Sequence, residues 1–245
     1  MNKRFLNKVV IVTGSGRGIG KAIAIAFAKE GANVILTSRS EKELNQVSEQ
    51  IRNLAGECFS IRTDVSKEME VVNLFETVLN KFGTVDILVN NAAIQIRKKV
   101  TEMTIDDWNM QIDINLTGTF LCSKEALKIM TGNNYGKIIT ISSESGRKGW
   151  GTGSAYCASK AGQISLTEAM ASEVKNYNIN INTILPAAVD TPLLKKSYPN
   201  IDYLKIDLLT PEEVSSIVLF LASEDAKGIK GSCIEVYGGQ NLIEE

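Results

Sequence analysis

Two kinds of segment alternate along the chain. Short runs rich in Val and Ile, such as Val9-Val10-Ile11-Val12, are typical of buried strands, and longer segments such as the Ala-rich stretch after residue 20 are typical of helices. The pattern predicts strands at 9–13, 33–37, 58–62, 86–90, 137–142, 179–185 and 233–237. It predicts helices at 18–30, 41–54, 67–82, 105–130, 154–177 and 211–222. The last of these helices begins with Thr210, Pro211 and Glu213, which have the pattern of a capping box.

The alternation predicts an α/β fold, in which a doubly wound parallel sheet of about seven strands carries helices on both faces. A chain of 245 residues suits one such domain, and its 44% of hydrophobic residues suffices for a large core. No internal repeat, low-complexity stretch or linker divides the sequence, so we expect a single domain over 1–245. The loosest segment, 193–209, is either a flap over a substrate or a solvated connection.

A glycine-rich turn joins the first predicted strand to the first predicted helix, with the spacing Gly14-x-x-x-Gly18-x-Gly20. Glycine lets the backbone approach a pyrophosphate closely, and the amides at a helix N-terminus meet its negative charge. A glycine turn alone is a weak motif. Its place between a strand and a helix, together with a Tyr/Lys pair further along the chain, predicts a dinucleotide cofactor site.

That pair is Tyr156 and Lys160, four residues apart on one face of a predicted helix, with Ser143 thirteen residues before the tyrosine. A nearby ammonium group favours the phenolate, so we expect Lys160 to lower the pKa of Tyr156 from its usual value of about 10. A tyrosine tuned in this way can act as an acid or a base near neutral pH. The chain has no histidine, which excludes a Ser-His-Asp hydrolase and a His-ligated zinc site.

Bulk composition excludes several further classes. A net charge of -1 gives no reason to expect nucleic-acid binding. No apolar run approaches the ~18 residues of a membrane helix, and the apolar stretch after the charged start is too short for a secretory signal. We therefore expect a cytoplasmic protein that does not bind a membrane. The four cysteines are scattered, without a C-x-x-C pair, and predict neither a metal site nor a redox motif.

Over essentially its whole length the chain resembles the single-domain members of the short-chain dehydrogenase/reductase family. The resemblance rests on motifs whose order and spacing together are highly specific: Thr13-Gly14-x-x-x-Gly18-x-Gly20, Asp64-Val65, Asn90-Asn91-Ala92-Ala93, Asn115, Ser143, Tyr156/Lys160 and Pro186 through Thr191. The sequence departs from the family pattern at Ala93 and Ala187, where glycine is common. We expect slight adjustment near the nicotinamide there, and no loss of activity.

The resemblance implies a Rossmann-type fold and a role for each motif. Tyr156 would exchange the proton with the substrate oxygen, Lys160 would lower its pKa and bind the nicotinamide ribose, and Ser143 would hold the substrate. Asn115 would help to hold a water that links Lys160 to solvent. The predicted cofactor contacts, from this resemblance and from the charges discussed next, are Gly14, Ser15, Arg17, Gly18, Ile19, Gly20, Ser38, Arg39, Asp64, Val65, Asn91, Ala92, Ala93, Tyr156, Lys160, Pro186, Val189 and Thr191.

Charges near the second predicted strand bear on the choice between the two nicotinamide cofactors. A NAD site usually has an acid there, about 20 residues beyond the glycine turn, to bind the ribose hydroxyls. Here the segment is Leu36-Thr37-Ser38-Arg39-Ser40, without an acid. Arg39 can pair with a 2′-phosphate, and Arg17 adds a second cation. These features favour NADP, with NAD less favoured.

The sequence leaves the substrate open. Relatives that look similar include 3-oxoacyl-carrier-protein reductases, although the segments 130–136 and 176–178 offer little basic charge for an acidic carrier. Glu144, Gln95, Arg97 and Trp150 would suit a polar pocket for a sugar, a polyol or a hydroxy acid. A non-catalytic NADPH sensor or scaffold is the alternative from another class. In the family, helices equivalent to 105–130 and 154–177 pair between subunits, which implies a homotetramer.

Overall fold

The computed structural model describes residues 3–200, 202 and 207–238. Within them seven parallel strands form one sheet in the order β3-β2-β1-β4-β5-β6-β7. The strands are β1 (Val9–Thr13), β2 (Asn33–Ser38), β3 (Glu57–Arg62), β4 (Ile87–Asn90), β5 (Gly136–Ile141), β6 (Ile179–Pro186) and β7 (Cys233–Val236). All seven overlap the predicted strands, with ends that differ by at most one residue.

Helices connect these strands, and a short π-helical segment, Asp113–Thr117, lies between two of them. The helices are α1 (Gly18–Lys29), α2 (Glu41–Asn53), α3 (Glu68–Phe82), α4 (Ile105–Ile112), α5 (Gly118–Asn133), α6 (Ser154–Glu173), α7 (Pro192–Ser197) and α8 (Pro211–Ala222). The predicted capping box at the start of α8 is present, since Thr210 and Glu213 bond each other's backbone amides. No helix in the described ranges is long and apolar enough to cross a membrane.

The sheet separates two hydrophobic cores. Along β1, Val10 and Val12 point into a core shared with α1, α2 and α8, whereas Val9 and Ile11 point into a core shared with α3, α5 and α6. Successive strand residues face opposite sides of a sheet, and both sides of this strand are apolar because helices cover both. The predicted doubly wound Rossmann-type fold is therefore confirmed.

The strand order changes direction at β1, which pairs with β2 on one side and with β4 on the other. Connections from these strands leave toward opposite faces, so a crevice opens beyond their carboxyl ends. Thr13 and Asn90 end the two central strands at this crevice. Ligands of open α/β sheets bind at such a switch point.

Three helical predictions differ from the structure. The helix predicted at 154–177 ends four residues earlier, at Glu173. The helix predicted at 105–130 is divided by the π-helical turn around Asn115, where one extra residue per turn enters the helix. Residues 192–197, expected to be mostly irregular, form α7, which Thr191 caps by accepting a hydrogen bond from Leu194 N at 3.2 Å. The Thr-Pro pair at its start was the overlooked signal. Part of the predicted loose segment, residues 201 and 203–206, lies outside the described residues.

Candidate active site

A cleft of about 470 Å³ lies at the switch point. One end is formed by the glycine turn and the end of β2, and the other reaches Tyr156 and Lys160 on α6. Most of the predicted cofactor residues line it: Gly14, Arg17, Gly18, Ile19, Ser38, Arg39, Asp64, Val65, Asn91, Ala92, Ala93, Tyr156, Lys160 and Thr191. Segments distant in the sequence thus meet around one elongated space.

The glycine turn needs glycine for two separate reasons. Gly14 has a φ of 64°, in the left-handed region that side chains disfavour. A Cβ atom on Gly20 would collide with the side chain of Asn91 and the carbonyl of Gly14. The turn can therefore lie close against β4 and leave its backbone facing the cleft.

Hydrogen bonds between Thr13 and Asn91 join the ends of β1 and β4. The Thr13 hydroxyl accepts from the backbone N–H of Asn91 at 2.9 Å and from that of Ala92 at 3.0 Å. The Asn91 side chain donates to the carbonyls of Thr13 at 2.9 Å and Gly14 at 3.2 Å. This network fixes the floor of the cleft. Thr13 was not among the predicted cofactor contacts, and its hydroxyl is engaged with the protein backbone.

Four predicted cofactor contacts do not line this cleft. Ser15 is fully buried and exchanges hydrogen bonds with the backbone of Thr37, so it anchors the turn to β2. Gly20 lies behind the turn. Pro186 and Val189 instead line a second cavity next to the first.

Ser143, Tyr156 and Lys160 come together where the two cavities meet. Ser143 follows β5, and its hydroxyl hydrogen-bonds the Tyr156 phenol. Tyr156 lines both cavities although only 9% of it is exposed. Lys160 Nζ donates to the carbonyl of Ile141 at 2.8 Å and to Gln163 Oε1 at 3.1 Å, and lies 5.6 Å from the centroid of the Tyr156 ring.

The electrostatics of the pair differ from the expectation based on its spacing. Burial raises the pKa of Tyr156 above its usual value, and the hydrogen bond from Ser143 opposes that shift only in part. Burial lowers the pKa of Lys160 to about 7. The expectation that Lys160 brings the pKa of Tyr156 below its usual value is therefore wrong, because the loss of water around the buried phenol raises that pKa.

Asn115 is completely buried in the π-helical segment, where its side chain fixes the loop after β4. Its Oδ1 accepts from Ile94 N at 2.8 Å, and its Nδ2 donates to Ile94 O at 3.0 Å and to Ser159 Oγ at 3.1 Å. Its backbone carbonyl accepts from Gln163 Nε2 at 2.6 Å. Gln163 also accepts a hydrogen bond from Lys160, so a single side chain links the Asn115 carbonyl to the lysine.

The cationic end of the cleft contains acids as well. Arg17 Nη1 lies 3.0 Å from Glu43 Oε1, and Arg39 Nη1 lies 4.0 Å from Asp64 Oδ2. Glu43 lies in the first turn of α2, behind the N-cap Ser40, and lines the cleft. Glu43 was not predicted as a site residue, because it stands four residues beyond Arg39, on a helix that turns it back toward the glycine turn.

The second cavity has a volume of about 490 Å³ and mixes aromatic, aliphatic and polar walls. The guanidinium carbon of Arg97 lies 4.0 Å from the ring centroid of Tyr198 and 5.2 Å from that of Trp150. Glu144 and Gln95 also line this cavity, and burial raises the pKa of the Glu144 carboxyl. The four residues predicted to form a polar pocket are thus together, next to Ser143.

The fold and site belong to one protein class. The chain is a member of the short-chain dehydrogenase/reductase family, because the short chain dehydrogenase family model matches residues 8–202. Members act on hydroxyl and carbonyl groups with a nicotinamide cofactor, so the chain is an oxidoreductase of that kind. In the ranges that the structure describes, no group of His, Cys, Asp and Glu side chains could hold a metal ion.

Individual relatives match nearly the whole chain. A 3beta-hydroxysteroid dehydrogenase of Mediterraneibacter gnavus is 35% identical over 264 residues, covering 96% of this chain and 95% of that protein. The crystal structure of levodione reductase is 30% identical and superposes with a TM-score of 0.93, covering 98% of this chain and all of that one. A short-chain type dehydrogenase/reductase from Mycobacterium marinum is 32% identical, with a TM-score of 0.91 and 98% coverage of both chains.

Proposed function

We propose that this protein is an NADP(H)-dependent oxidoreductase that interconverts a carbonyl and a secondary alcohol. The observation that carries the proposal is the position of Tyr156, whose phenol belongs to both cavities and bonds Ser143. An acid between a cofactor cleft and a second pocket can exchange a proton with a substrate in that pocket. The bound nicotinamide would supply or accept the hydride.

Each residue has a defined task in this mechanism. Ser143 donates a hydrogen bond to the substrate oxygen and orients it toward Tyr156. The Tyr156 phenol gives its proton to that oxygen during reduction and removes it during oxidation. Lys160, held by two acceptors, keeps a third donor for a bound ribose and places a positive charge near the phenol when protonated. Asn115 holds the loop that borders the nicotinamide end.

The cleft suits a dinucleotide, and its charges favour NADP. Gly14 and Gly18 present left-handed backbone without side chains to the space, as a pyrophosphate site requires. Arg39 and Arg17 supply guanidinium groups for a 2′-phosphate, and the end of β2 carries no acid. Glu43 opposes this preference, because it pairs with Arg17 and would repel a phosphate.

For the substrate, a sugar or polyol is a second candidate beside a 3-oxoacyl compound. Glu144 and Gln95 favour it, since a carboxylate and an amide can accept and donate hydrogen bonds to several hydroxyl groups. The wall formed by Trp150, Leu193 and Leu194 would equally suit an apolar ring. The relatives' names, which refer to a steroid and to levodione, support a cyclic ketone or alcohol as a further member of the test panel.

The test is a panel of 3-oxoacyl, sugar, polyol, steroid and cyclic ketone compounds, assayed with NADPH and NADH through the absorbance of the reduced nicotinamide. We expect turnover with at least one class and a higher kcat/KM with NADPH. Tyr156→Phe keeps the ring and removes the acid, so kcat should fall by about 10²–10⁴-fold while NADPH binding is retained. Full turnover in that variant would refute the mechanism, and NADPH binding without turnover on the panel would favour the sensor or scaffold.

We also propose that the protein assembles as a homotetramer. Large apolar side chains lie on the surface of the segment from 100 to 120, where Val100 is 74% exposed, Ile105 69% and Phe120 46%. Ile164 and Met170 on α6, by contrast, are each 6% exposed and pack within this chain. A symmetric contact through α4 and α5 would cover the exposed residues and support the π-helical turn that holds Asn115.

A further inference from the structure

A buried glutamine lies beside Lys160 on α6. Gln163 is 1% exposed, and both the oxygen and the nitrogen of its side-chain amide form hydrogen bonds. Its Oε1 accepts from Lys160 Nζ at 3.1 Å, while its Nε2 donates to the Asn115 carbonyl at 2.6 Å and to Thr119 Oγ1 at 2.8 Å. The side chain therefore joins the lysine directly to the segment that follows α4.

We propose that Gln163 is a positioning residue for Lys160: its amide fixes the ammonium group next to the Tyr156 ring and takes the place of a water between Lys160 and Asn115. The inference rests on the proposed function, which gives Lys160 its role in the site. Gln163 itself lines neither cavity and touches no substrate or cofactor space.

The hydrogen-bond capacities of the partners support this role. An ammonium group has three donors, and Lys160 directs two of them to Ile141 O and Gln163 Oε1. A carbonyl oxygen has two lone pairs, and the Asn115 carbonyl accepts from Gln163 Nε2 and from Thr119 Oγ1 at 2.7 Å. A water inserted between Lys160 and Asn115 would have to displace one of these partners.

The chemistry of an amide also fits the site. Gln163 provides an acceptor without a charge, so it orients the ammonium group but stabilises it less than a carboxylate would. In the described part of the chain, the titratable side chain facing Lys160 from α6 is Tyr156. The neighbouring β5 contributes the uncharged carbonyl of Ile141, the π-helical segment contributes uncharged Asn115, and α5 contributes uncharged Thr119. Burial is accordingly the cause of the lowered pKa of Lys160.

The test is the titration midpoint of Lys160 in the full-length protein without cofactor or substrate. Protein labelled with ¹³C at lysine Cε is titrated by NMR, and the signal is assigned by its loss in Lys160→Arg. Gln163→Met removes the acceptor at similar length, so the midpoint should fall by about one pH unit, because a hydrogen bond to a charged group is lost. Gln163→Glu places a carboxylate against the ammonium group, so the midpoint should rise by about one unit or more.

Thr167→Val is the matched control. It removes a buried hydrogen bond one turn further along α6, between Thr167 Oγ1 and Thr183 Oγ1 at 2.7 Å, and should leave the midpoint unchanged. Midpoints unchanged in both Gln163 variants would overturn the inference, even in an active enzyme. If Gln163→Met does not fold, Gln163→Glu alone decides, and an unchanged or lower midpoint refutes the proposal. Because the titration uses no cofactor, failure to find turnover would bear on the proposed function alone.

Discussion

Replacing Glu43 by glutamine should increase the preference of this protein for NADPH. Glu43 Oε1 lies 3.0 Å from Arg17 Nη1, so the carboxylate is paired with a guanidinium group that a 2′-phosphate would use. The Arg17 side chain is 63% exposed and that of Glu43 is 29% exposed, so solvent screens the ion pair. Such a pair contributes about 0–1 kcal/mol. A carboxylate near a phosphate adds a repulsion of about 1 kcal/mol per unit charge at 4 Å in water.

These two contributions together predict that Glu43→Gln strengthens NADPH binding by about 1–2 kcal/mol. That free energy corresponds to about 5- to 30-fold in Kd. NADH lacks the phosphate, so its Kd should change by less than about threefold. Because the groups are exposed, the gain for NADPH should shrink as the salt concentration rises from about 0.05 M to about 0.5 M.

The assay is a fluorescence titration of the reduced cofactors at both salt concentrations. Glu41→Gln is the matched control, because Glu41 lies in the same first turn of α2 and the substitution removes the same charge outside the cleft. Equal gains for NADPH and NADH, or an equal gain in Glu41→Gln, would show that Glu43 does not act on the phosphate. Tighter binding of NADH than of NADPH by the wild-type protein would contradict the assignment of Arg17 and Arg39.

Two further predictions concern stability and assembly. The folded-state pKa of Lys160 is about 7, below its ordinary value of 10.5, so the folded state binds fewer protons between these values and the lysine penalises folding most below pH 7. The free energy of unfolding should therefore rise with pH in this window, and denaturant unfolding at several pH values should show a smaller rise in Lys160→Met than in the wild-type protein. An equal rise in the two proteins would refute the lowered pKa. Light scattering after size exclusion should give a tetramer mass, and Phe120→Glu should reduce it, since a charge would enter the apolar contact; a monomer mass for the wild-type protein at micromolar concentration would refute the assembly.

Features encoded by local spacing could be predicted from the sequence. Three such features are the glycine turn, the Tyr156/Lys160 pair and the strand-helix alternation. Each depends on residues within about a dozen positions, where the geometry of a helix or strand determines which side chains share a face. The resemblance then brought Asn115 and Ser143 to the same site. The structure places Ser143 against Tyr156 and Asn115 beneath the loop after β4.

The residues that were missed depend on long-range register. Glu43 meets Arg17 across 26 positions, and Gln163 meets the Asn115 carbonyl across 48. Each contact requires a particular rotation of a helix against the sheet, which no short spacing encodes. The π-helical turn is similar, because its extra residue becomes favourable only when Asn115 and Thr119 find partners on α6.

The same packing explains why the pKa expectation failed. A spacing of four residues establishes that Lys160 and Tyr156 share a helix face, but it says nothing about the water that both lose when α6 packs against the sheet. Lys160 is 2% exposed, and its ammonium group donates hydrogen bonds to the Ile141 carbonyl and the Gln163 amide, neither of which carries a charge. Desolvation thus favours the neutral form of both Lys160 and Tyr156.

The site consequently suits a ligand that favours the charged lysine. Burial disfavours the charged forms of Lys160 and Tyr156, whereas catalysis by a phenol near neutral pH benefits from an ammonium group beside it. We expect an anionic dinucleotide to favour the ammonium form by its charge, and the hydrogen bond to Gln163 Oε1 would hold that group beside Tyr156. Because the amide of Gln163 carries no charge, the protonation of Lys160, and with it the pKa of Tyr156, would then depend on the bound cofactor.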